Sequence, residues 1–230
     1  MKLYYSPLSV YSAKPRIAMF EKSIAHETKL VNWTPATGWI KPDELPRLNP
    51  KAQIPVLVDG DAVIPDSTII LEYLDERVPK TPLFPTGAVE RARCRTLEDL
   101  GDTLLAPQLG VLVREVLLKP DPSTRDSAAV AQAKAELARQ YQRLDRELGK
   151  REYLCGEFSV ADISCFSPNQ HRVLDGGGAV ARVRQRDGVA HTHAQPPERV
   201  ALPRGIRRSH RTAATGCSRR IGARLTNNAE

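Results

Sequence analysis

The chain has no apolar run approaching the ~18–20 residues that a membrane-spanning helix needs. It also lacks a charged leader, a long apolar segment and a small-residue cleavage site. Met1-Lys2-Leu3-Tyr4-Tyr5-Ser6-Pro7 passes from one charge straight into a strand-like run, so a secretory signal is not expected. Cysteine is scarce. Cys94, Cys155, Cys165 and Cys217 form no CxxC pair and no metal-ligand spacing, and the five histidines give no HExxH. These absences point to reduced thiols in a cytoplasmic protein with no bound metal and no membrane partner.

The length of 230 residues allows one large core or two small ones. A net charge of +7 would ordinarily point to nucleic acid or an anionic surface. Its distribution argues otherwise. Residues 1–165 hold 22 Lys+Arg against 23 Asp+Glu, whereas residues 166–230 hold 12 Arg, no Lys and 4 acids. The basic character belongs to the tail.

Lys2–Tyr5 reads as a strand and Ser6-Pro7-Leu8-Ser9 as a turn. Tyr11–Ser23 reads as a helix with Ser12 as its N-cap, which puts Pro15 in the first turn. Ile17, Phe20 and Ile24 recur at helical spacing and mark the core face, with Lys14, Arg16, Glu21 and Lys22 opposite. His26–Trp33 alternates as an edge strand would, and Pro42–Leu48 suits one or two helical turns. Ile54–Val58, Asp59-Gly60 and Ala62–Ile64 form a hairpin pattern. Asp66 or Ser67 then caps a helix running to about Arg77. The order is a βαβ half followed by a ββα half, which fits one small mixed sheet with helices packed on it.

Three prolines within Val78–Gly87 mark a linker. Ala88–Leu118 and Ser123–Glu147 read as helices, the second with a stripe of Leu137, Tyr141, Leu144 and Leu148. Ser159-Val160-Ala161-Asp162 has the shape of a capping box. After about Phe166 apolar periodicity disappears and Arg, Gly, His and Pro dominate, a composition that buries too little surface to order itself.

Asn49-Pro50 ahead of Ile54-Pro55-Val56-Leu57, then Asp66-Ser67-Thr68-Ile69-Ile70-Leu71-Glu72-Tyr73-Leu74, and the Ser159–Asp162 box behind Leu154-x-Gly156 together resemble the glutathione S-transferase family. The opening Ser6–Ser12 segment followed by Lys14 and Arg16 is similar to its Ser-type bacterial and theta/phi/zeta-like branches. The resemblance covers residues 1 to about 165. It implies a thioredoxin-like α/β glutathione-binding domain over 1–78, a linker over 79–87 and a partial, all-α C-terminal domain over 88–166. Residues 167–230 then form an Arg/Gly-rich, largely disordered tail. The family continues with further helices there. The bias of the tail is that of a GC-rich gene read in the wrong frame, so a frameshifted or truncated member is expected. A natural basic tail is the alternative.

By the same resemblance the reaction is attack of the glutathione thiolate on a small electrophile, with glutathione as co-substrate. A thiol near pKa ~8.5 is mostly protonated at neutral pH. A donated hydroxyl hydrogen bond and a helix N-terminus both stabilise the anion. The family's activating serine falls on Ser9, with Ser12 assisting or merely capping. Ile54 and the cis Pro55 supply main-chain pairing to the tripeptide. Ser67 suits the γ-glutamyl carboxylate and Asp66 its ammonium group, although Asp66 is shorter than the family's usual Glu or Gln. Lys41 and Gln53 match positions that contact the glycine end. The resemblance implies an electrophile site lined by the helical domain, including parts of its first long helix, and makes Asp162 the family's structural cap. A homodimer is implied.

Two other readings stand beside this one. The chain is a non-catalytic or broken relative, in which the helical stripe would be an exposed apolar patch. Alternatively the tail binds nucleic acid or acidic partners non-specifically, without any nucleic-acid motif to give specificity. Cysteine-dependent peroxidase or reductase chemistry is disfavoured because neither Ser9 nor Ser12 is Cys.

Overall fold

The computed structural model describes residues 1–119 and 121–166. They all fall within one compact unit, Met1–Val180. The expectations for the tail, its histidines, Cys217 and a reading-frame change lie outside the described residues.

The α/β half runs β1 (Lys2–Tyr5), α1 (Val10–Glu21), β2 (Glu27–Leu30), β3 (Asn32–Thr34), β4 (Gly38–Ile40), α2 (Leu45–Leu48), β5 (Val56–Asp59), β6 (Ala62–Pro65) and α3 (Ser67–Arg77). Strand order in the main sheet is β2-β1-β5-β6. β1 pairs parallel with β2 and antiparallel with β5, and β5 pairs antiparallel with β6. This is the βαβ–ββα arrangement of a thioredoxin-like sheet. Successive strand residues face opposite sides, and β1 buries both Leu3 and Tyr4. Tyr4 and Val56 pack with Leu45 of α2 and with Val31. The opposite face, bearing the paired Leu3 and Leu57, is left for α1 and α3.

The expected edge strand over His26–Trp33 divides in two. β2 joins the main sheet, whereas β3 turns away at Val31 and pairs with β4 as a separate ribbon, Trp33 opposite Trp39. No local signal marked Gly38–Ile40 as a strand, because its partner supplies the pairing.

Helix α1 departs from expectation in two ways. It begins at Val10, because Ser9 rather than Ser12 caps it by accepting the Ser12 N–H at 3.1 Å. Pro15 is therefore the sixth helical residue, not part of the first turn. Its buried face also holds Ser12, Ala13, Lys14, Pro15, Ala18 and Met19, while Phe20 is 55% exposed. The helix lies against α3 and also meets α5 and α7, so small residues and two lysines with partners occupy the crowded side.

The helical half comprises α4 (Ala88–Leu100), a π-helical turn (Gly101–Leu105), α5 (Ala106–Leu112), a second π-helical turn (Val113–Leu117), α6 (Ser127–Leu148) and α7 (Val160–Cys165). Gly101 is required at the first π turn, because a Cβ there would stand 3.0 Å from the Ser164 backbone carbon. The Leu137, Leu144 and Leu148 stripe is buried against neighbours that include α5, and Tyr141 stacks on Phe166 at 6.4 Å. Leu137, Leu144 and Leu148 therefore do not form the exposed apolar patch considered above.

The Pro-rich segment between the halves is held at several points. Lys22 Nζ donates to Asp75 at 2.8 Å and to the carbonyls of Val78 and Thr81 at 2.9 Å each. The Leu83 N–H donates to the same Asp75 oxygen at 2.7 Å, and the Leu83 carbonyl accepts from Val160.

Candidate active site

Sheet register assembles the site. Tyr4 is paired with Val56, and Val56 with Pro65. The loop leaving β1, the residues entering β5 and those leaving β6 therefore meet at one edge of the sheet. These are Ser6–Ser9, Ile54-Pro55 and Asp66-Ser67. Helices α1 and α3 both start at this edge, so their unpaired N–H groups and positive dipole ends lie on the same side of the sheet.

Ser9 is half-buried. Its oxygen accepts from the Ser12 N–H, and its own hydroxyl proton remains available to donate, since a hydroxyl carries one donor beside two acceptor positions. The Ser9 N–H donates to the Ser6 carbonyl at 3.1 Å, which closes the turn. Ser12 is fully buried, and its Oγ accepts from the Ser6 N–H at 3.4 Å. It sits behind the turn and shapes it; the capping role expected of it belongs to Ser9.

The Ile54-Pro55 peptide is cis. Pro55 is buried and Ile54 half-buried at the entry to β5. The approach is shaped by Asn49, a buried residue whose Nδ2 donates to the Gln53 carbonyl at 2.9 Å and whose Oδ1 accepts from the Lys51 N–H at 3.1 Å. Gln53 itself is exposed next to the cis bond. Lys41 is exposed between β4 and α2, just after a ribbon that no strand pairing among the described residues ties to the main sheet.

Asp66 caps α3 through the Thr68 N–H at 2.8 Å and holds a positive φ of 78°. That conformation is uncommon for a residue with a Cβ, and surrounding structure must enforce it. Ser67 is 3% exposed, and among the described residues its hydroxyl makes no hydrogen bond.

Behind this edge lies a cluster that residue spacing did not reveal. Lys14 is 2% exposed, and its Nζ meets Glu98, Asp102 at 2.7 Å and the Thr68 hydroxyl at 3.2 Å. Thr68 Oγ1 donates to Glu98 at 2.8 Å. Burial raises the Glu98 carboxyl above its ordinary range, opposed by the charge of Lys14. The cluster joins α1, α3 and α4 directly behind the two helix starts. Tyr11 bridges to the same place by donating to the Asp102 carbonyl at 3.4 Å, and its phenol is raised by burial first, then by Asp102 and Asp66. In the sequence, Lys14 and the two acids lie more than 80 positions apart. The helical pattern placed Lys14 opposite the core face, so nothing in the spacing pointed to its burial.

A cis Ile54-Pro55 peptide and a Ser9-capped helix start stand at the same end of a four-stranded thioredoxin-like sheet, with a helical half following. The model of the glutathione S-transferase N-terminal domain matches residues 8–77. A maleylacetoacetate isomerase from Dictyostelium discoideum is 31% identical over 165 residues, 72% of this chain and 73% of that protein. The chain belongs to the glutathione S-transferase family. A stringent starvation protein A homolog from Coxiella burnetii is 42% identical over 97 residues, which is 42% of this chain and 44% of that relative, so the chain spans under half its length. A solved glutathione S-transferase from Rhodospirillum rubrum F11 matches at 28% identity with a TM-score of 0.66, covering 78% of this chain and 80% of its own.

Proposed function

We propose that the protein is a glutathione transferase that conjugates or reduces small electrophiles, with Ser9 donating to the glutathione sulfur. The carrying observation is the convergence, through the Tyr4–Val56–Pro65 register, of the Ser9-capped α1 start, the cis Ile54-Pro55 peptide and the Asp66-Ser67 start of α3. In this reading the main-chain atoms at Ile54 pair with the tripeptide. Ser67 and the α3 N-terminus take the γ-glutamyl carboxylate, and Asp66 takes its ammonium group. Gln53 and Lys41 flank the glycine end. The thiolate forms beside the α1 N-terminus, where Ser9 and the helix dipole lower its pKa. The protein acts in the cytoplasm as a homodimer, and the exposed Ile69 of α3 and Val89 of α4 are surface a second copy would cover.

The test is turnover of an activated aryl halide beside direct glutathione binding. Ser9→Ala is expected to lower kcat by roughly 10²-fold, as loss of one donor to a developing anion does, with glutathione affinity changed only a few-fold. Equal loss of both would remove Ser9 from the activating role. A second reading is a glutathione-binding member without turnover. Saturable glutathione binding with no turnover of any electrophile would select it.

A further inference from the structure

Thr68 is the second residue of α3, directly after the Asp66-Ser67 start. Its two polar groups are tied to different places. The Thr68 N–H donates to Asp66 Oδ1 at 2.8 Å, within the candidate site. The Thr68 hydroxyl donates to Glu98 Oε1 at 2.8 Å, accepts from Lys14 Nζ at 3.2 Å and lies 3.2 Å from Asp102 Oδ2. Lys14 and Glu98 are both buried, and the Lys14 ammonium is paired with both carboxylates. Ser164 of α7 steadies the acids from behind: its hydroxyl donates to the Glu98 carbonyl at 3.0 Å and lies 3.4 Å from Asp102 Oδ1. Side chains from α1, α4 and the first π-helical turn thus converge on one hydroxyl of α3.

A helix start does not by itself need this frame. The Asp66 side chain already caps the Thr68 N–H, and the Ile70 N–H bonds the Asp66 carbonyl at 3.0 Å. What the cap alone does not supply is the positive φ of 78° at Asp66. A residue with a Cβ keeps that conformation only where its surroundings enforce it. Thr68 meets Asp66 through its N–H and the buried charges through its hydroxyl, so the frame reaches the strained residue through one side chain. Ser67 lies between the two. We propose, resting on the site assignment given above, that Thr68 is a positioning residue: clamped by Lys14, Glu98 and Asp102, it fixes the Asp66-Ser67 pair for the α-amino-acid end of a γ-glutamyl peptide. Lys14 keeps both carboxylates aimed at the one hydroxyl, because without a cation between them they would repel. Thr68 touches no ligand and acts only through the backbone of its two neighbours. Its effect falls equally on ground and transition states, which moves KM and leaves kcat.

Two substitutions separate the hydroxyl from the bulk of the side chain. Thr68→Val keeps the shape and removes the hydroxyl, whereas Thr68→Ser keeps the hydroxyl. Affinities of the full chain are measured for glutathione, for γ-glutamylcysteine, which lacks the glycine, and for cysteinylglycine, which lacks the γ-glutamyl group. Thr68→Val is expected to weaken glutathione and γ-glutamylcysteine by the same factor, about 10-fold, as loss of a hydrogen bond to a charged group does. Cysteinylglycine affinity should not change, and KM for glutathione should rise with kcat held within about twofold. Thr68→Ser should match wild type. Asp102→Asn removes one charge of the frame at constant shape and should weaken the same two ligands by a smaller factor; it carries the test if Thr68→Val does not fold. Equal weakening of all three ligands, unchanged affinity in Thr68→Val, or a Thr68→Ser variant as weak as Thr68→Val would overturn the positioning role while leaving the site assignment standing. Wild-type protein that binds neither glutathione nor γ-glutamylcysteine would overturn the site assignment and the positioning role with it.

Discussion

Ser9 and Ser12, three residues apart, have different duties at the start of α1. Ser9 is half-buried and, among the described residues, accepts only the Ser12 N–H, whereas the buried Ser12 gives its oxygen to the Ser6 N–H. Ser12→Ala should therefore cost about 1 kcal/mol of stability by leaving a buried N–H unpaired, with the ultraviolet titration of enzyme-bound thiolate unchanged. Ser9→Ala should move that titration upward. Lys14 is the other decisive residue. Lys14→Met would strand the buried Glu98 and half-buried Asp102 carboxylates and is expected to cost about 3 kcal/mol in denaturant unfolding. Adding Glu98→Gln should recover part of that loss, because one uncompensated charge is removed. A loss for the double variant larger than for Lys14→Met alone would contradict this account of the cluster.

Elements are joined by single polar side chains. Glu115, on the second π-helical turn, accepts from Lys119 at 2.5 Å and from the Asp126 N–H at 2.9 Å, which fastens the end of the α5 segment to the start of α6. The Asp126 backbone bond first, then Lys119, holds its carboxyl at about 2, below the ordinary 4.5. A depressed carboxylate stabilises the fold above its unfolded pKa and loses that contribution as pH falls toward the folded value. Glu115→Gln should thus lower Tm at neutral pH, with the gap from wild type shrinking below about pH 4.5 and closing near pH 2. A gap independent of pH would show that charge is not the cause. Asp162 plays the corresponding part at α7, where the capping box read from Ser159 and Asp162 is present with both bonds. Here sequence was a good guide, because a cap is local. It was a poor guide to α1: Ile17, Phe20 and Ile24 formed a persuasive stripe, yet the helix buries the side carrying Lys14 and Ala18. Periodicity reports a single buried face, and α1 meets α3, α5 and α7.

The two halves of the described molecule meet through buried polar groups, with Lys14 and Lys22 each gathering partners from several segments. The described residues are thus expected to unfold in one cooperative transition. Glutathione at about 100 times its Kd should raise the midpoint by roughly 5–10 °C, from ~2.7 kcal/mol of linkage. A melt with no glutathione shift would count against the proposed binding site, and two separate transitions would count against the polar coupling of the halves.

From its residues alone the chain disclosed the βαβ–ββα order, the hairpin at Asp59-Gly60, the start of α3, the two long helices and the capping box at Ser159. Each rests on neighbours within a few positions, where turn chemistry, capping and periodicity act. Tertiary structure alone decided which face of α1 is buried, that β3 leaves the main sheet for β4, and that Lys14, Thr68, Glu98 and Asp102 meet behind the site. Those outcomes depend on pairing and burial between residues distant along the chain, and the energy of a buried charge is set by whichever partner the fold brings to it.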